Sequence, residues 1–278
     1  MKESRKPLVS VVITTYNRLE LLERAINSVL LQDYPSIELI ISDDCSDVDI
    51  PTLIRRKRKS TSIPIFYRRN NCNSGACFTR NEGIKMASGF FITGLDDDDE
   101  FALDRVSYLV KNYNKAYSFV ATNTEVITKK GNKTHYSEKK DKVINLYDCL
   151  WENVVGTQVL TEKSRFINSG GFDTDLTSAQ DCDMWVRLIK DYGPALRLKK
   201  AKYILHTEHE EGRISSSTNK LKGLSDFHKK HENLMSLSQI KYSRFKLLLW
   251  SKSITFSEIL KLDLSCILFI LRKKLKLI

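Results

Sequence analysis

The start of the chain alternates buried-strand sequence with amphipathic-helix sequence, and this alternation limits the possible folds more than any other feature. Residues 8–14 are a continuous, largely β-branched run, which is typical of a strand buried on both faces of a sheet. Residues 21–30 then carry apolar side chains at helical spacing, and residues 37–41 form a second buried strand. Strand, helix and strand in this order predict an α/β fold built on a parallel sheet.

Polar or acidic loops follow the next predicted strands. The strand at 37–41 runs into the acidic turn 42–47. A weaker strand at 63–67 leads to a stretch of turn-forming residues, and the strand at 89–95 ends in four aspartates. Because ligands of open parallel sheets bind beyond the carboxyl ends of the strands, we expect these loops to converge on one pocket.

The rest of the chain also alternates helices and strands, without an internal repeat or a low-complexity linker. The spacing of apolar residues predicts further helices at residues 76–86, 104–113 and 181–190. Strands are predicted at residues 117–122 and 203–206, with a hairpin-like stretch around 129–135 and an apolar patch at 154–160. We therefore expect one large domain.

Asp96, Asp97, Asp98 and Asp99 stand together at the end of a strand that is predicted to be buried. Unpaired carboxylates there would repel one another unless a cation neutralises them. Hard oxygen ligands favour Mg²⁺ or Mn²⁺, and these ions complete their coordination with water and phosphate oxygens, so a diphosphate is expected beside them. The alternative is a solvated acidic turn that caps the following helix.

The chain is basic, with 45 Lys and Arg against 34 Asp and Glu and a formal net charge of +11. Residues 241–278 hold nine basic residues against Glu258 and Asp263, so most of the excess lies there. The run at residues 55–59 is interpreted as a solvated helix face or loop. The net charge favours phosphate-bearing partners or an anionic membrane surface. A nucleic-acid-binding protein is an alternative, although the aromatic residues are not interleaved with the basic runs.

The six cysteines show neither a C-x-x-C pair nor the spacing of a zinc site, which favours reduced thiols in a cytosolic protein. The charged residues 1–7 precede only a brief apolar run, which does not have the pattern of a secretory signal. No stretch approaches the roughly 20 apolar residues that a membrane-spanning helix needs. We therefore expect the protein to work on the cytoplasmic side.

Five motifs follow one another along residues 8–215. They read VSVVITTYNR (9–18), SDDCSD (42–47), NSGACFTRNEG (73–83), LDDDD (95–99) and QDCDMWVRL (180–188). Together they resemble family 2 of the inverting glycosyltransferases, and in particular the enzymes that build bacterial O-antigen and capsule polysaccharides. The resemblance implies the GT-A fold of nucleotide-diphospho-sugar transferases, which is a Rossmann-like mixed sheet flanked by helices.

The resemblance also implies how the chain is divided. Residues 1–235 would form the GT-A domain, with residues 8–100 as the nucleotide-sugar-binding half and residues 101–235 as the acceptor half. Residues 236–278 would form a basic amphipathic helical tail.

Positions that match the family motifs carry the implied donor site. The set is Thr14, Tyr16, Asn17, Asp43, Asp44, Gly75, Arg80, Asp96, Asp97 and Arg213. Asp44, with Asp43, lies where a carboxylate accepts a hydrogen bond from uracil, so UDP is the implied nucleotide. Arg80 lies near the nucleotide phosphates, although Thr79 stands where the family usually has alanine.

The implied metal ligands are Asp98, Asp96 and His206, and the metal is Mn²⁺ or Mg²⁺. Asp181 matches the aspartate of the family's Glu-Asp motif, the catalytic base, although Gln180 replaces the preceding glutamate. A positioned carboxylate can take the proton of the acceptor hydroxyl as that hydroxyl attacks the anomeric carbon. The alternative is that Asp181 is simply the N-cap of the following helix.

Apolar residues recur at helical spacing in the tail, and basic residues follow them directly. They are Ile254, Leu260, Leu264, Ile267, Leu268 and Leu271, followed by Arg272, Lys273, Lys274 and Lys276. A helix that lies on anionic lipid has this composition. The alternative is a helix that packs back on the domain or against the second subunit of a homodimer.

The implied reaction moves a hexose from a UDP-sugar, UDP-glucose or UDP-galactose as the first expectation, to a hydroxyl of a saccharide acceptor. The resemblance suggests a lipid-diphosphate-linked acceptor, a peripheral position on the inner face of the cell membrane and no nucleic-acid partner. The alternative within enzymes is a metal-dependent nucleotidyltransferase, which would not need Asp181.

Overall fold

One mixed sheet runs through the domain. The computed structural model describes residues 6–135, 140–208 and 217–274, and these contain ten strands of that sheet. The strands are β1 (Val9–Thr15), β2 (Ile37–Asp43), β3 (Ile65–Arg69), β4 (Phe91–Asp96), β5 (Glu100–Phe101), β6 (Val120–Thr128), β7 (Gly131–His135), β8 (Lys142–Ile144), β9 (Leu160–Glu162) and β10 (Ala195–His206). Their order is β3-β2-β1-β4-β9-β6-β10-β5, with β7 beside β6 and β8 beside β10.

The first four strands are parallel. β1 pairs with β2 and β4, and β2 pairs with β3. The helices between them are α1 (Leu19–Leu30), α2 (Ile50–Arg58) and α3 (Ala76–Met86). The register pairs Thr14 with Asp96 and Thr15 with Asp43, so the carboxyl ends of three neighbouring strands lie side by side.

The second half of the sheet changes direction. β9 is antiparallel to β4 and β6, whereas β10 is parallel to β6 and antiparallel to β5. The helices of this half are α4 (Arg105–Asn112), α5 (Leu146–Trp151), α6 (Lys163–Asn168) and α7 (Gln180–Tyr192). The predicted α/β fold, a mixed sheet flanked by helices, is confirmed.

Two hydrophobic cores cover the two faces of the sheet. Alternate residues of β1 enter them, because Val11 and Ile13 pack with α1 and α2 in one core whereas Val12 packs with α3 in the other. All three side chains are buried. Burial on both faces explains why this strand is a continuous apolar run rather than an alternating one.

A buried carboxylate ties α7 to α8 (Ser217–His231). Asp183 accepts a hydrogen bond from Arg187 Nε at 3.0 Å, and its other oxygen lies 2.8 Å from Lys230 Nζ and 2.9 Å from His231 Nε2. Burial alone would raise the pKa of Asp183, but these partners hold it well below its usual value. The carboxylate is therefore ionised in the fold.

We expect Asp183→Asn to lower the free energy of unfolding by about 3 kcal/mol, because it removes the buried charge that pairs with Arg187 and Lys230. The stabilisation is present above the ordinary carboxyl pKa of 3.8 and is lost as the pH falls through the lower folded value. Urea denaturation at neutral pH measures the change. The control is Asp191→Asn at the exposed end of the same helix, where one hydrogen bond from Ser169 is involved. Equal stability of the two variants would contradict this account.

The basic run at 55–59 lies mostly on α2 and is largely exposed, in agreement with a solvated helix face, and Arg56 and Lys57 form ion pairs with Glu23 of α1. Other segments differ in detail from the sequence predictions. The strand predicted at residues 203–206 is the end of β10, which is twelve residues long. No predicted helix corresponds to α8, which follows a stretch outside the described residues.

The C-terminal helices are α9 (Leu237–Trp250), α10 (Phe256–Leu260) and α11 (Leu264–Lys274), and one side of them packs on the domain. Trp151 of α5 stacks on Phe269 of α11 with ring centroids 4.5 Å apart, and Tyr242 and Cys266 are buried in the same cluster. Other apolar side chains of α10 and α11 are exposed, namely Phe256, Ile259, Leu260, Leu264, Ile267, Leu268 and Leu271. Within the described part of the chain, no helix combines the length and apolar character needed to cross a bilayer.

Candidate active site

The loops that follow β1, β2, β3 and β4 meet at one edge of the sheet. The Asp44 amide donates to the Thr15 carbonyl at 2.9 Å, and the Asn70 amide donates to the Asp43 carbonyl at 2.8 Å. β4 ends at Asp96 beside β1. The strand-end loops therefore converge, as the sequence pattern predicts.

Asp44 is a buried carboxylate that shapes the start of α3. It accepts hydrogen bonds from the backbone amides of Ser74 and Gly75, at 2.7 and 2.9 Å, and from the Asn70 side chain at 2.7 Å. Gly75 adopts a φ of +86°, which favours glycine, and α3 begins at the next residue. A hydrogen bond from Asp44 to uracil stays a prediction.

Tyr16 and Asn17 lie where the chain leaves β1, two and three residues beyond Thr14. The Asn17 amide donates to the Ser46 hydroxyl at 2.9 Å, and that hydroxyl donates to Asp43 at 2.6 Å. The Tyr16 side chain is 44% exposed, so a planar ligand can reach it. The nucleotide contacts of this group also stay predictions.

Arginines form ion pairs with Asp96, the last residue of β4, and with the next two aspartates. Arg80 Nη2 lies 2.9 Å from Asp96 Oδ1. Arg18 Nη1 lies between the next two residues, 3.1 Å from Asp97 Oδ1 and 3.2 Å from Asp98 Oδ2. The fold therefore supplies positive charge to this aspartate turn, which comprises residues 96–99.

Asp99 points away from these arginines. It accepts a hydrogen bond from the Tyr203 hydroxyl at 2.7 Å and another from the His206 backbone amide at 2.9 Å. Burial, with repulsion from Asp96 and Asp98, raises its pKa to about 8. Burial likewise raises the pKa of Asp97 to about 6 and the pKa of Asp96 above its usual value, although neighbouring arginines oppose both shifts.

The chemistry of the aspartate turn fits a hard divalent cation. Its carboxylates are oxygen ligands whose raised pKa values show that the existing positive charge does not fully offset burial and repulsion. Among the described residues, no group of three or more His, Cys, Asp or Glu side chains is arranged to hold a metal by itself. Asp98 and its neighbours would therefore need oxygens from a bound diphosphate or water to complete a coordination shell.

His206, the third predicted metal ligand, lies beside the aspartate turn. Its two ring nitrogens are each 2.8 Å from a carboxylate, Nε2 from Glu100 and Nδ1 from Glu208. Metal ligation by His206 stays a prediction and would require one of these contacts to open. Arg213, the predicted phosphate contact, lies outside the described residues.

Asp181 lies in the first turn of α7, whose N-cap is Ala179, so the alternative role of Asp181 as the cap does not apply. One carboxylate oxygen accepts from the Cys182 amide at 2.9 Å and the other from Asn153 Nδ2 at 2.9 Å. Burial raises the pKa of Asp181 to about 6, and the charge of Asp96 adds to the rise while Arg80 opposes it. The charges of the Arg80–Asp96 ion pair at the end of β4 therefore act on the pKa of Asp181 in opposite directions.

Two polar residues of this site have no role in the sequence analysis. Gln158 Nε2 donates to Asp96 Oδ1 at 3.0 Å, and a Cβ on Gly94 would lie only 2.1 Å from Gln158 Oε1. Asn153 holds Asp181. A glycine inside a strand is a signal for close approach of another group, and Gly94 could have pointed to Gln158; no comparable signal marks Asn153.

Aromatic contacts fix the other side of Arg80. Its guanidinium carbon lies 4.8 Å from the centre of the Phe172 ring. The Asn81 side chain accepts from the Phe172 amide at 2.8 Å and donates to the Phe172 carbonyl at 2.7 Å. Arg80 is therefore held between an aromatic face and Asp96.

Comparison with known proteins spans the chain from β1 to the first turn of α7. The sequence pattern of glycosyl transferase family 2 matches residues 10–183. The chain belongs to glycosyl transferase family 2. The family prediction from the five motifs is thus confirmed, and the family match includes the aspartate turn and Asp181.

Two relatives of this family 2 chain illustrate what similar proteins do. WcaA of Escherichia coli (strain K12), a glycosyl transferase assigned to colanic acid biosynthesis, is 36% identical over 248 residues, and the match covers 87% of each protein. The GalNAc(5)-diNAcBac-PP-undecaprenol beta-1,3-glucosyltransferase of Campylobacter jejuni is 32% identical over 189 residues. That match covers 66% of this chain and 60% of the Campylobacter enzyme.

Solved structures share the fold of this family 2 chain. Residues 1–349 of S. aureus TarS in complex with UDP-GlcNAc superpose with a TM-score of 0.68 at 18% identity, covering 93% of this chain and 77% of that one. The mannosyltransferase PcManGT from Pyrobaculum calidifontis, in complex with GDP-Man and Mn²⁺, also gives 0.68, at 15% identity, and covers 98% and 80%. The likeness confirms the fold expected from the motifs.

Proposed function

We propose that this family 2 glycosyltransferase is a metal-dependent, inverting enzyme that transfers one hexose from a UDP-sugar to a hydroxyl of a saccharide acceptor. The observation that carries the proposal is the aspartate turn at the end of β4, with Arg80 2.9 Å from Asp96, within the same family 2 match that contains Asp181. A carboxyl group whose pKa is about 6 is well suited to accept a proton near neutral pH.

In the proposed reaction, the acceptor hydroxyl gives its proton to Asp181 while its oxygen forms a bond to the anomeric carbon. The bond between that carbon and the UDP oxygen breaks on the opposite side, so the configuration inverts. Arg80 supplies positive charge to the diphosphate. A divalent cation held by Asp98, with Asp96 and Asp97 beside it, would stabilise the charge on the departing UDP.

The donor is proposed to be UDP-glucose or UDP-galactose. The resemblance of the motifs supports UDP, and so do the TarS complex with UDP-GlcNAc and the name of the Campylobacter glucosyltransferase. PcManGT binds GDP-Man on the same fold, so the fold by itself does not select the nucleotide.

UDP release from a panel of UDP-sugars, measured with Mn²⁺ and acceptor, tests the proposal. We expect release with UDP-glucose or UDP-galactose and its loss on addition of EDTA. Pyrophosphate release from a nucleoside triphosphate and a sugar phosphate, without UDP release, would instead favour a nucleotidyltransferase. Polynucleotide binding as the sole activity would favour the nucleic-acid-binding alternative.

The acceptor is proposed to be a lipid-diphosphate-linked oligosaccharide used for a bacterial surface polysaccharide, met at the cytoplasmic face of the membrane. The names of WcaA and of the Campylobacter enzyme support this acceptor class. The tail, residues 236–278, supports a peripheral membrane position through its exposed apolar side chains and its basic residues. A homodimer through the same surface is the competing role.

We expect the double variant Leu260→Asp and Leu264→Asp to lose most of its binding to anionic vesicles, because each leucine is 69% exposed in a tail of positive net charge. Sedimentation with vesicles in which about a third of the lipid is phosphatidylserine measures this binding. The matched control is Leu31→Asp, because Leu31 is 65% exposed and lies at the end of α1, outside the tail. Unchanged sedimentation of the double variant would remove the tail from membrane binding.

The rate of transfer should depend on pH through Asp181. Because the base must be ionised and its pKa is raised to about 6, kcat should rise with pH through that value and level off above it. Initial rates between pH 5 and pH 8, about one unit below and two above that pKa, measure this rise of kcat with pH. The Kd of UDP at each pH separates base ionisation from donor binding. A flat profile across this range would contradict the assignment.

A further inference from the structure

The residue that holds Asp181 is itself fixed by a tight turn. Asn153 Oδ1 accepts hydrogen bonds from the backbone amides of Val155 and Gly156, both at 3.0 Å, while its Nδ2 donates to Asp181. The Gly156 carbonyl in turn accepts a hydrogen bond from Trp185 Nε1 of α7 at 3.1 Å. The amide of Asn153 therefore has one orientation, and it presents an N–H group to the carboxylate of Asp181.

The residue before Asn153 faces the C-terminal helices. The Glu152 carboxylate accepts hydrogen bonds from the Tyr242 hydroxyl of α9 at 2.7 Å and from Lys273 Nζ of α11 at 2.6 Å. Lys246 Nζ of α9 lies 3.3 Å from it. Two helices that are distant in sequence thus meet at one side chain, which is only 17% exposed.

Charge makes this contact strong. Burial alone would raise the pKa of Glu152, but Lys246, Lys273 and Tyr242 hold it below its usual value. Burial lowers the pKa of Lys246, and Glu152 opposes that change. Among the ion pairs of the described residues, both lysines have Glu152 as their carboxylate partner. Removing its charge would leave a largely buried lysine facing a second cation.

Three consecutive residues therefore connect the tail to the base. Trp151 stacks on Phe269 of α11, Glu152 binds α9 and α11, and Asn153 binds Asp181. Because residues 151–153 are adjacent in the chain, one short backbone segment carries both the contacts with α9 and α11 and the contact with Asp181.

We propose that Glu152 is a positioning residue for sugar transfer, through which α9 and α11 hold Asn153 and thereby the carboxylate of Asp181. The inference rests on the proposed function, in which Asp181 is the base. It gives the C-terminal helices a part in the chemistry, independent of any surface that they contact. A merely structural anchor would affect stability, whereas a positioning residue affects kcat while donor binding is retained.

The test compares Glu152→Gln and Lys273→Met with Lys111→Met in the full chain. Lys111 lies on α4, is exposed, and forms no ion pair among the described residues, so it is a matched control for loss of one positive charge. We expect kcat to fall about tenfold in Glu152→Gln and about threefold in Lys273→Met, with donor KM changed less than about twofold, since misplacement of a reacting group slows the chemical step. Lys111→Met should match the wild type, and Lys273→Arg should restore most of the rate.

The outcomes separate this inference from the proposed function. Wild-type transfer by both Glu152→Gln and Lys273→Met, or equal losses in Lys273→Met and Lys111→Met, would overturn the positioning role. If Glu152→Gln does not fold, Lys273→Met decides, because Lys273 is 53% exposed and its truncation leaves the core intact. Absence of UDP release from the wild-type protein would instead contradict the proposed function itself.

Discussion

Replacing Asp181 with asparagine should lower kcat for sugar transfer about a thousandfold, because an amide cannot take the proton of the acceptor hydroxyl. Asparagine has nearly the same shape, and its side-chain oxygen can still accept the hydrogen bond that the Cys182 amide donates. Donor binding should therefore survive. Initial rates at saturating donor, together with the Kd of UDP, measure the two effects separately.

Two opposing effects on the free energy of unfolding at neutral pH should leave the same variant folded. Because the pKa of Asp181 is raised to about 6 in the fold, its ionisation favours the unfolded chain, and asparagine removes this penalty. Asparagine has only one acceptor oxygen, however, so it cannot accept from both the Cys182 amide and Asn153 Nδ2. Asp191→Asn makes the same chemical change at the other end of α7 and should transfer sugar at the wild-type rate. Full activity of Asp181→Asn would show that another group accepts the proton.

Replacing Asp98 with asparagine should reduce transfer at least about a hundredfold, since metal stabilisation of a leaving group contributes several kcal/mol. It should also remove the rise in melting temperature that Mn²⁺ with UDP produces in the wild type. The physical reason is that Asp98 is the implied direct ligand in a turn whose oxygen ligands fit a hard cation. Differential scanning fluorimetry with Mn²⁺ and UDP checks the binding part of the prediction without any turnover.

Asp49→Asn is the control for this effect. Asp49 is exposed and its side chain accepts a hydrogen bond from the Thr52 amide at the start of α2, a contact that asparagine can also make. It should keep the full response to Mn²⁺. An unchanged response in Asp98→Asn as well would move the metal away from the aspartate turn.

The parts of the fold that the sequence predicts well are those where local pattern and tertiary position agree. β1 and β2 are buried on both faces, so every residue reports the same environment, and their loops carry turn-forming or acidic residues. The strands of the second half of the sheet are harder to predict from the sequence, because β9 has only three residues and the pairing of β10 contains shifts of register. Its strands are defined by pairing with distant partners rather than by their own pattern.

The candidate site divides in the same way. Asp98 and Asp181 are predicted from short motifs, whereas Asn153 and Gln158 act only through contacts across the fold, 28 and 62 residues away in sequence. Side chains that orient other side chains leave no local periodicity. The aspartate at 183, two residues after Asp181, shows the same limit, because its buried ion pairs depend on α8, for which no helix is predicted.

The position of Arg18 has a practical consequence. The Arg18 guanidinium lies within 3.2 Å of both Asp97 and Asp98, so a positively charged side chain already pairs with these carboxylates. Protein stripped of metal should therefore stay folded, and manganese can be treated as a titratable reagent instead of a requirement for purification. If a divalent cation binds at the turn as proposed, the Arg18 guanidinium would have to move away from Asp98.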